Sequence, residues 1–141
     1  MDERKRIERE TIEKLRMHFV FNSLNGIHHM IGKDTEIARE MVYDLSVVMR
    51  AYVDMITCEG TILLEEELKA VESYVRLQDA GRQTMRFETR GKVQGDIKAG
   101  EILNVVVAKM KEEIISPTLF YRIMVALDGG VPTVEIMIGE N

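Results

Sequence analysis

The 141-residue chain has few cysteines, no long apolar run and no excess of basic residues, and each of these features excludes a class of protein. Its one cysteine, Cys58, rules out an intramolecular disulfide framework, which suits a reducing compartment. No apolar run approaches the roughly 20 residues that span a bilayer, and no apolar segment follows the charged amino terminus as in a secretory signal. Acidic residues outnumber basic ones by 24 to 19, which argues against a nucleic-acid-binding protein with a basic face. We therefore expect a cytoplasmic protein that binds neither membranes nor nucleic acid.

Residues 15–31 are the most distinctive stretch of the chain. Four polar residues recur there at spacings of 4, 3 and 4, so on an α-helix they share one narrow face: His18, Asn22, Asn25 and His29. Apolar residues occupy the other sides: Met17, Phe19, Val20, Phe21, Leu24, Ile27, Met30 and Ile31. This pattern predicts a buried helix with one polar window left open. The window is either a hydrogen-bonded seam that fixes register in a helix bundle or a functional surface.

The segments around this stretch predict a helical hairpin. The first helix is expected over about residues 3–31 and ends at Gly32-Lys33. Asp34 or Thr35 then caps a second helix with heptad-like apolar spacing, which ends at residues 58–60. Because only three residues join the two helices, they should run antiparallel. A hairpin cannot bury so broad an apolar surface alone, so we expect two copies to form a four-helix bundle across a twofold axis.

A third helix is expected over about residues 64–84. Its apolar side consists of Leu64, Leu68, Val71, Val75 and Leu77. Glu65, Glu66, Glu67 and Lys69 are expected to point away from that side. We interpret the three glutamates as a solvated first helical turn favoured by the helix dipole, in preference to a metal site.

The remaining residues predict a small α/β segment. Short strands are expected at 86–90 and 93–97 around Gly91, and a helix at 102–115 that Ser116-Pro117 ends, although three consecutive valines leave that helix ambiguous. An antiparallel pair at 121–127 and 134–138, joined through residues 128–130, completes the segment.

The predicted fold class is therefore α+β and mainly α. It consists of a helical hairpin that dimerises into a four-helix bundle and a small ββαββ appendage. The expected domains are a helical hairpin over residues 1–60, a connecting helix over 61–85 and the appendage over 86–141.

The amino-acid sequence of residues 18–27 resembles that of a known family. His-Phe-Val-Phe-Asn-Ser-Leu-Asn-Gly-Ile resembles the phosphoacceptor motif of the LytS-type sensor histidine kinases, Pro-His-Phe-Leu-Phe-Asn-x-Leu-Asn-x-Ile. The resemblance continues through Asp44-Leu45-Ser46…Met49-Arg50, and then through Leu64-Glu65-Glu66-Glu67-Leu68…Tyr74-Val75-Arg76-Leu77-Gln78. It covers residues 11 to about 87. Met17 stands where the family has proline, so we expect the kink of the helix there to be absent or weaker.

The resemblance implies a role for each residue of the polar window. His18 would be the phosphoacceptor. Asn22, one turn further along, would orient a phosphoryl oxygen or a hydrolytic water, with Asn25 and His29 in support and His28 at an interface. Residues 1–60 would be the dimerisation and histidine-phosphotransfer domain. The implied partners are a second copy of the chain and the receiver domain of a response regulator or a complete histidine kinase.

The family's ATP-binding residues are not matched in this sequence. In the family, a helix carries a Glu-Asn pair for magnesium, and an Asp-x-Gly-x-Gly loop and a glycine-rich lid follow it. Our alignment places Ala108-Lys109 at the Glu-Asn positions, and a lysine cannot serve as an oxygen ligand of Mg²⁺. The Asp-x-Gly-x-Gly loop would begin where the sequence stops, at Asn141. We therefore expect no cofactor or metal on this chain and no ATP-dependent autophosphorylation, with Mg²⁺ held by the receiver partner.

Two functions from different classes remain open. The first is a phosphotransferase, similar to the sporulation-type phosphotransferases, that relays a phosphoryl group through His18 in a two-component system or phosphorelay. The second is a non-catalytic pseudokinase adaptor that heterodimerises with a histidine kinase or binds a response regulator. A plain helical structural protein would explain the periodicity but not the wording of residues 18–27.

Overall fold

The computed structural model describes residues 2–116 and 118–139, without the side chains of residues 5, 7–9, 11, 12, 14 and 15. Within this range the chain is mainly helical, with four helices and two small sheets, so the predicted α+β class is confirmed. Pro117, which was expected to end a helix, and Asn141 lie outside the described residues. The chain forms two compact units, Met1–Val42 and Tyr43–Asn141, whose boundary falls inside the second helix.

The first unit contains helix α1 (Glu3–Ile31) and the beginning of helix α2 (Thr35–Thr57). Helix α1 runs without interruption through Met17, where the family's proline would interrupt its hydrogen bonding. Asp34 caps α2, because its Oδ1 accepts the backbone N–H groups of Glu36 at 3.1 Å and Ile37 at 3.2 Å. A Cβ added to Gly26 would lie 3.5 Å from Met41 Cε, so the helices run side by side next to the turn, as in an antiparallel hairpin.

The second unit continues with the rest of α2, strand β1 (Thr61–Leu63) and helix α3 (Leu64–Asp79). All five apolar residues predicted for the inner side of α3 are buried. The predicted end of this helix at about residue 84 is wrong. The chain leaves the helix at Ala80, which has a left-handed φ of 50°. The Asp79 carboxylate stabilises this turn by accepting the backbone N–H groups of Gln83 and Thr84 and the Thr84 hydroxyl, each at 2.9 Å.

The strands form two sheets. Strand β1 pairs antiparallel with β3 (Asp96–Lys98), so the two strands expected around Gly91 do not pair with each other. Strand β2 (Met85–Arg90) instead pairs in parallel with β4 (Phe120–Ala126). Strand β5 (Thr133–Gly139) completes the order β2-β4-β5 and is antiparallel to β4, as predicted.

Helix α4 (Glu101–Glu113) lies between β3 and β4 in the chain. The three consecutive valines therefore belong to a helix, which settles the ambiguity of the sequence pattern. Alternate residues of β4 are fully or almost fully buried, among them Tyr121, Ile123 and Val125. On the other face of the sheet, Arg122 of β4 forms a 2.8 Å ion pair with Glu88 of β2. The core of the second unit therefore lies on one side of the β2-β4-β5 sheet.

Glu67 corrects the interpretation of the three glutamates at the start of α3. Glu65 and Glu66 are exposed as predicted, whereas Glu67 is fully buried. Its Oε1 accepts the N–H of Gly100 at 3.0 Å, and its Oε2 accepts the N–H groups of Ile102 at 3.0 Å and Leu103 at 2.9 Å. Three backbone donors at the N-terminus of α4 thus take the place of water around this carboxylate.

Candidate functional site

His18 lies in the interior of α1, with its side chain exposed to solvent. The other members of the predicted polar window, Asn22, Asn25 and His29, are exposed as well. His28 is also exposed. Because α1 is continuous, the spacing of the four window residues places them along one face of the helix. This arrangement leaves the His18 imidazole accessible to a protein that docks on α1.

The immediate surroundings of His18 come from α1 itself. Glu10, Glu13, Met17 and Phe21 line a shallow depression of about 490 Å³ together with His18. Since all five residues belong to one helix, this feature is an open surface and not an enclosed ligand pocket. Glu10 and Glu13 place acidic side chains on one side of the histidine, and Met17 and Phe21 add apolar area.

Helix α1 is only partly buried within the single described chain, and its burial between two copies stays a prediction. Phe19 and Ile27 are buried, and so is Ser23, which the pattern did not single out. Four large apolar residues of α1 are instead 49–58% exposed: Met17, Phe21, Leu24 and Ile31. Their positions follow the 3- and 4-residue steps of a heptad seam. We call these four residues the α1 stripe.

Helix α2 carries a second exposed apolar row at similar spacing. Val42, Met49, Val53 and Ile56 are 43–69% exposed, and we call them the α2 stripe. The neighbouring face of α2 contains the buried residues Leu45, Val48 and Tyr52. The apolar surface of α2 is therefore wider than the part of it that the described chain covers.

Asp44 and Arg76, from the second and third blocks of the resemblance, form an ion pair that the sequence reasoning did not anticipate. Asp44 is buried, and Arg76 Nη2 donates to its Oδ1 at 2.9 Å. Arg76 Nε donates to both carboxylate oxygens at 3.3 Å. This hydrogen bonding raises the pKa of Arg76. No feature of either block taken alone predicts the pair, because the two residues belong to different helices.

The positions aligned with the family's magnesium ligands lie in α4. Ala108 is exposed and Lys109 is half-buried. Neither side chain offers an oxygen to a cation, and the lysine ammonium would repel one. In the described part of the chain, no group of three or more His, Cys, Asp or Glu residues is arranged to hold a metal ion. These α4 residues therefore do not fit the family's Mg²⁺–nucleotide site.

Comparison with known proteins agrees with the resemblance. The sequence profile described as "Histidine kinase" matches residues 10–90, more than half of the chain. Sensor protein LytS of Staphylococcus saprophyticus is 40% identical over 80 residues, which are 57% of this chain and 12% of that protein. Sensor histidine kinase/phosphatase LytS of Staphylococcus aureus (strain N315) is 30% identical over 108 residues, which are 77% of this chain and 16% of that protein.

The chain thus spans less than a fifth of the length of these curated relatives. No solved structure matches it. Among the described residues, no helix has the length and apolar content needed to cross a membrane.

Proposed function

The chain belongs to the histidine kinase family, and on this premise we propose that it is a histidine phosphotransfer protein of a two-component system or phosphorelay. In this proposal His18 accepts a phosphoryl group from the receiver domain of a response regulator, or from a complete kinase, and returns it to a receiver. Of the relatives named above, one is described as a sensor protein and the other as a sensor histidine kinase/phosphatase. Their phosphoryl chemistry is compatible with this role.

The observation that carries the proposal is the exposure of His18 within the segment that matches the histidine kinase family, residues 10–90. A phosphoryl group held on a receiver domain reaches a histidine only if the ring protrudes from its helix. His18 meets this requirement. Phosphoryl transfer also requires little covalent chemistry from the protein beyond a nucleophile in the correct position.

The transfer step follows from the chemistry of imidazole. A ring nitrogen of neutral His18 attacks the phosphorus of an aspartyl phosphate on the receiver, and a new N–P bond forms. The bond between phosphorus and the carboxylate oxygen breaks, and the aspartate leaves as a carboxylate. The receiver's own Mg²⁺ neutralises the phosphoryl oxygens. We assign to Asn22, one turn from His18, a hydrogen bond to a phosphoryl oxygen or to a hydrolytic water.

We also propose that the protein acts as a homodimer. The α1 and α2 stripes each present large apolar side chains to solvent at heptad spacing. Exposed apolar rows of this kind are typical of interaction surfaces. A second copy of the same hairpin would cover both stripes and form a four-helix bundle, while the polar window of α1 stays open.

The proposed relay runs without ATP-dependent autophosphorylation by this chain. Ala108 and Lys109 do not fit the magnesium site of the family, so the residues that would position a γ-phosphate are altered. We expect isothermal titration calorimetry to show no saturable binding of ATP in the presence of Mg²⁺. Binding in the micromolar range would contradict this part of the proposal and leave the role of His18 intact.

The central test is transfer of labelled phosphate. A response-regulator receiver encoded near this gene is phosphorylated with ³²P and mixed with the wild-type chain, with His18→Gln or with His28→Gln. We expect the wild-type chain and His28→Gln to become labelled and His18→Gln to remain unlabelled. His28→Gln is a matched control because it removes another exposed histidine of the same helix.

The same experiment separates the relay from the adaptor. Label that persists in His18→Gln would remove His18 from the phosphoacceptor role. If the wild-type chain binds its receiver or kinase but acquires no label from either, the non-catalytic adaptor is the correct function. Binding is measured independently, by calorimetry with the unphosphorylated receiver.

A further inference from the structure

Helices α2 and α3 form a hairpin that is fixed at its connected end. Residues 58–60 are exposed and lead directly into β1. Strand β1 pairs with β3 from Thr61↔Lys98 to Leu63↔Asp96, which ties this end of the hairpin into a sheet. The opposite ends of the two helices are not covalently connected, so other interactions must keep them together.

A groove of about 540 Å³ lies between the two helices. Arg50 and Asp54 line it from α2, and Glu66 and Lys69 line it from α3. Charged side chains thus line the groove beside apolar ones such as Val47 and Ala70. Among the described residues, no ion pair other than Asp44–Arg76 joins α2 to α3.

Asp44 and Arg76 lie far from the connected end. Asp44 lies about 13 residues before the end of α2, and Arg76 lies about 12 residues after the start of α3. Each separation corresponds to roughly 20 Å of helix. Glu72 Oε1 accepts Arg76 Nη1 at 2.7 Å, and the Ser73 hydroxyl accepts Arg76 Nη2 at 3.5 Å. The guanidinium is thus oriented by α3 and presents its remaining donors to the buried carboxylate of α2.

We propose that the Asp44–Arg76 pair is a latch that holds the C-terminal part of α3 against the middle of α2. When the latch is closed, α3 and the β2-β4-β5 sheet that follows it are held in one fixed position relative to residues 43–57 of α2. When it is open, α3 separates from α2 about the fixed end at β1. This inference goes beyond the proposed function and does not depend on phosphorylation of His18.

The latch is tested by hydrogen–deuterium exchange of the full chain, with peptides resolved by mass spectrometry. Asp44→Asn removes the carboxylate charge, and Arg76→Lys keeps the cation but removes the forked donors. Glu65→Gln is the matched control, because it removes an exposed carboxylate of the same helix about three turns away from Arg76. Far-UV circular dichroism identifies a temperature at which all variants are fully folded, and hydrogen exchange is measured at that temperature.

We expect amides of residues 43–57 and 64–79 to exchange about tenfold faster in Asp44→Asn and Arg76→Lys, as in a local opening. Amides of β4 and β5 should keep their wild-type rates, and Glu65→Gln should behave as the wild type. Two results overturn the proposal. One is unchanged exchange in both variants, and the other is equal acceleration in all segments, which would make the pair a contributor to global stability only. If Asp44→Asn does not fold, Arg76→Lys alone decides between these results.

Discussion

At the scale of single residues, the fold buries three carboxylates among the described residues and leaves the proposed phosphoacceptor exposed. Asp44, Glu67 and Asp79 are each satisfied by hydrogen-bond donors from another segment or turn of the second unit. A buried carboxylate requires such partners, because desolvation of an unpaired charge is costly. The His18 side chain, in contrast, is exposed to solvent. These three residues therefore have structural roles, and the chemistry we propose belongs to the exposed face of α1.

Tyr74 gives a pH-dependent prediction at this scale. Burial raises the pKa of Tyr74, and proximity to Tyr52 raises it further. Above the ordinary tyrosine pKa of about 10, the unfolded chain loses this proton while the folded chain keeps it. The free energy of unfolding should then fall by about 1.4 kcal/mol per pH unit from this residue alone, up to the raised pKa. The contribution is fully present below pH 10.

Urea unfolding between pH 9 and pH 11 measures this effect as a difference between variants. Tyr74→Phe should show a weaker decline in stability with pH than the wild type, whatever its stability at neutral pH. Tyr43→Phe, which alters a tyrosine that is 56% exposed, is the control and should follow the wild-type slope. Parallel curves for Tyr74→Phe and the wild type would contradict the assignment.

At the scale of elements, the contact between α3 and α4 depends on Glu67. We expect Glu67→Gln to lower the free energy of unfolding by about 1–3 kcal/mol, because an amide NH₂ group would face at least one of the three backbone donors. Thermal or urea unfolding at pH 7 measures the change. Glu66→Gln alters an exposed neighbour and should stay within about 0.5 kcal/mol of the wild type. Equal stability of both variants would show that the buried carboxylate is dispensable.

The sequence predicts elements whose signals are local. Helix α1 ends at Ile31 and α2 begins at Thr35, as expected, because Asp34 caps the helix from within the same few residues. The antiparallel β4–β5 pair was also predicted, since its strands alternate and a short turn joins them. The exposure of the His18 face follows from the same kind of local periodicity, combined with the wording of residues 18–27.

Features that depend on distant partners were missed. Strand β1 has only three residues, and its pairing with β3 requires a segment more than 30 positions away. Glu67 is identical in type to Glu65 and Glu66, so only the position of the α4 N-terminus distinguishes it. The end of α3 was placed too late, because helical propensity does not reveal that Asp79 will hold the Gln83 and Thr84 amides in a turn.

At the scale of the whole molecule, the exposed stripes predict the oligomeric state. Leu24→Glu and Val53→Glu each place a charge in the centre of one stripe, where burial between two copies would be unfavourable. We expect the wild-type chain to be a dimer and both variants to be monomers in size-exclusion chromatography with light scattering.

Val131→Glu is the control for these variants, because it replaces an apolar residue that is 72% exposed in the β4–β5 connection. It should remain dimeric. A monomeric wild-type chain, or dimers that tolerate both stripe variants, would contradict the bundle.

The parallel pairing of β2 with β4 has a consequence for the way the chain acquires its structure. Register partners such as Met85 and Tyr121 are separated in the chain by β3 and α4, so their pairing closes a long loop. Strands β4 and β5 are neighbours in the chain, and we expect them to pair first. Until β2 pairs with β4, one edge of β4 therefore stays exposed, and this edge belongs to a mostly apolar strand. Such an edge attracts other chains. We therefore expect that slow pairing of β2 with β4 would increase aggregation of the unfolded chain.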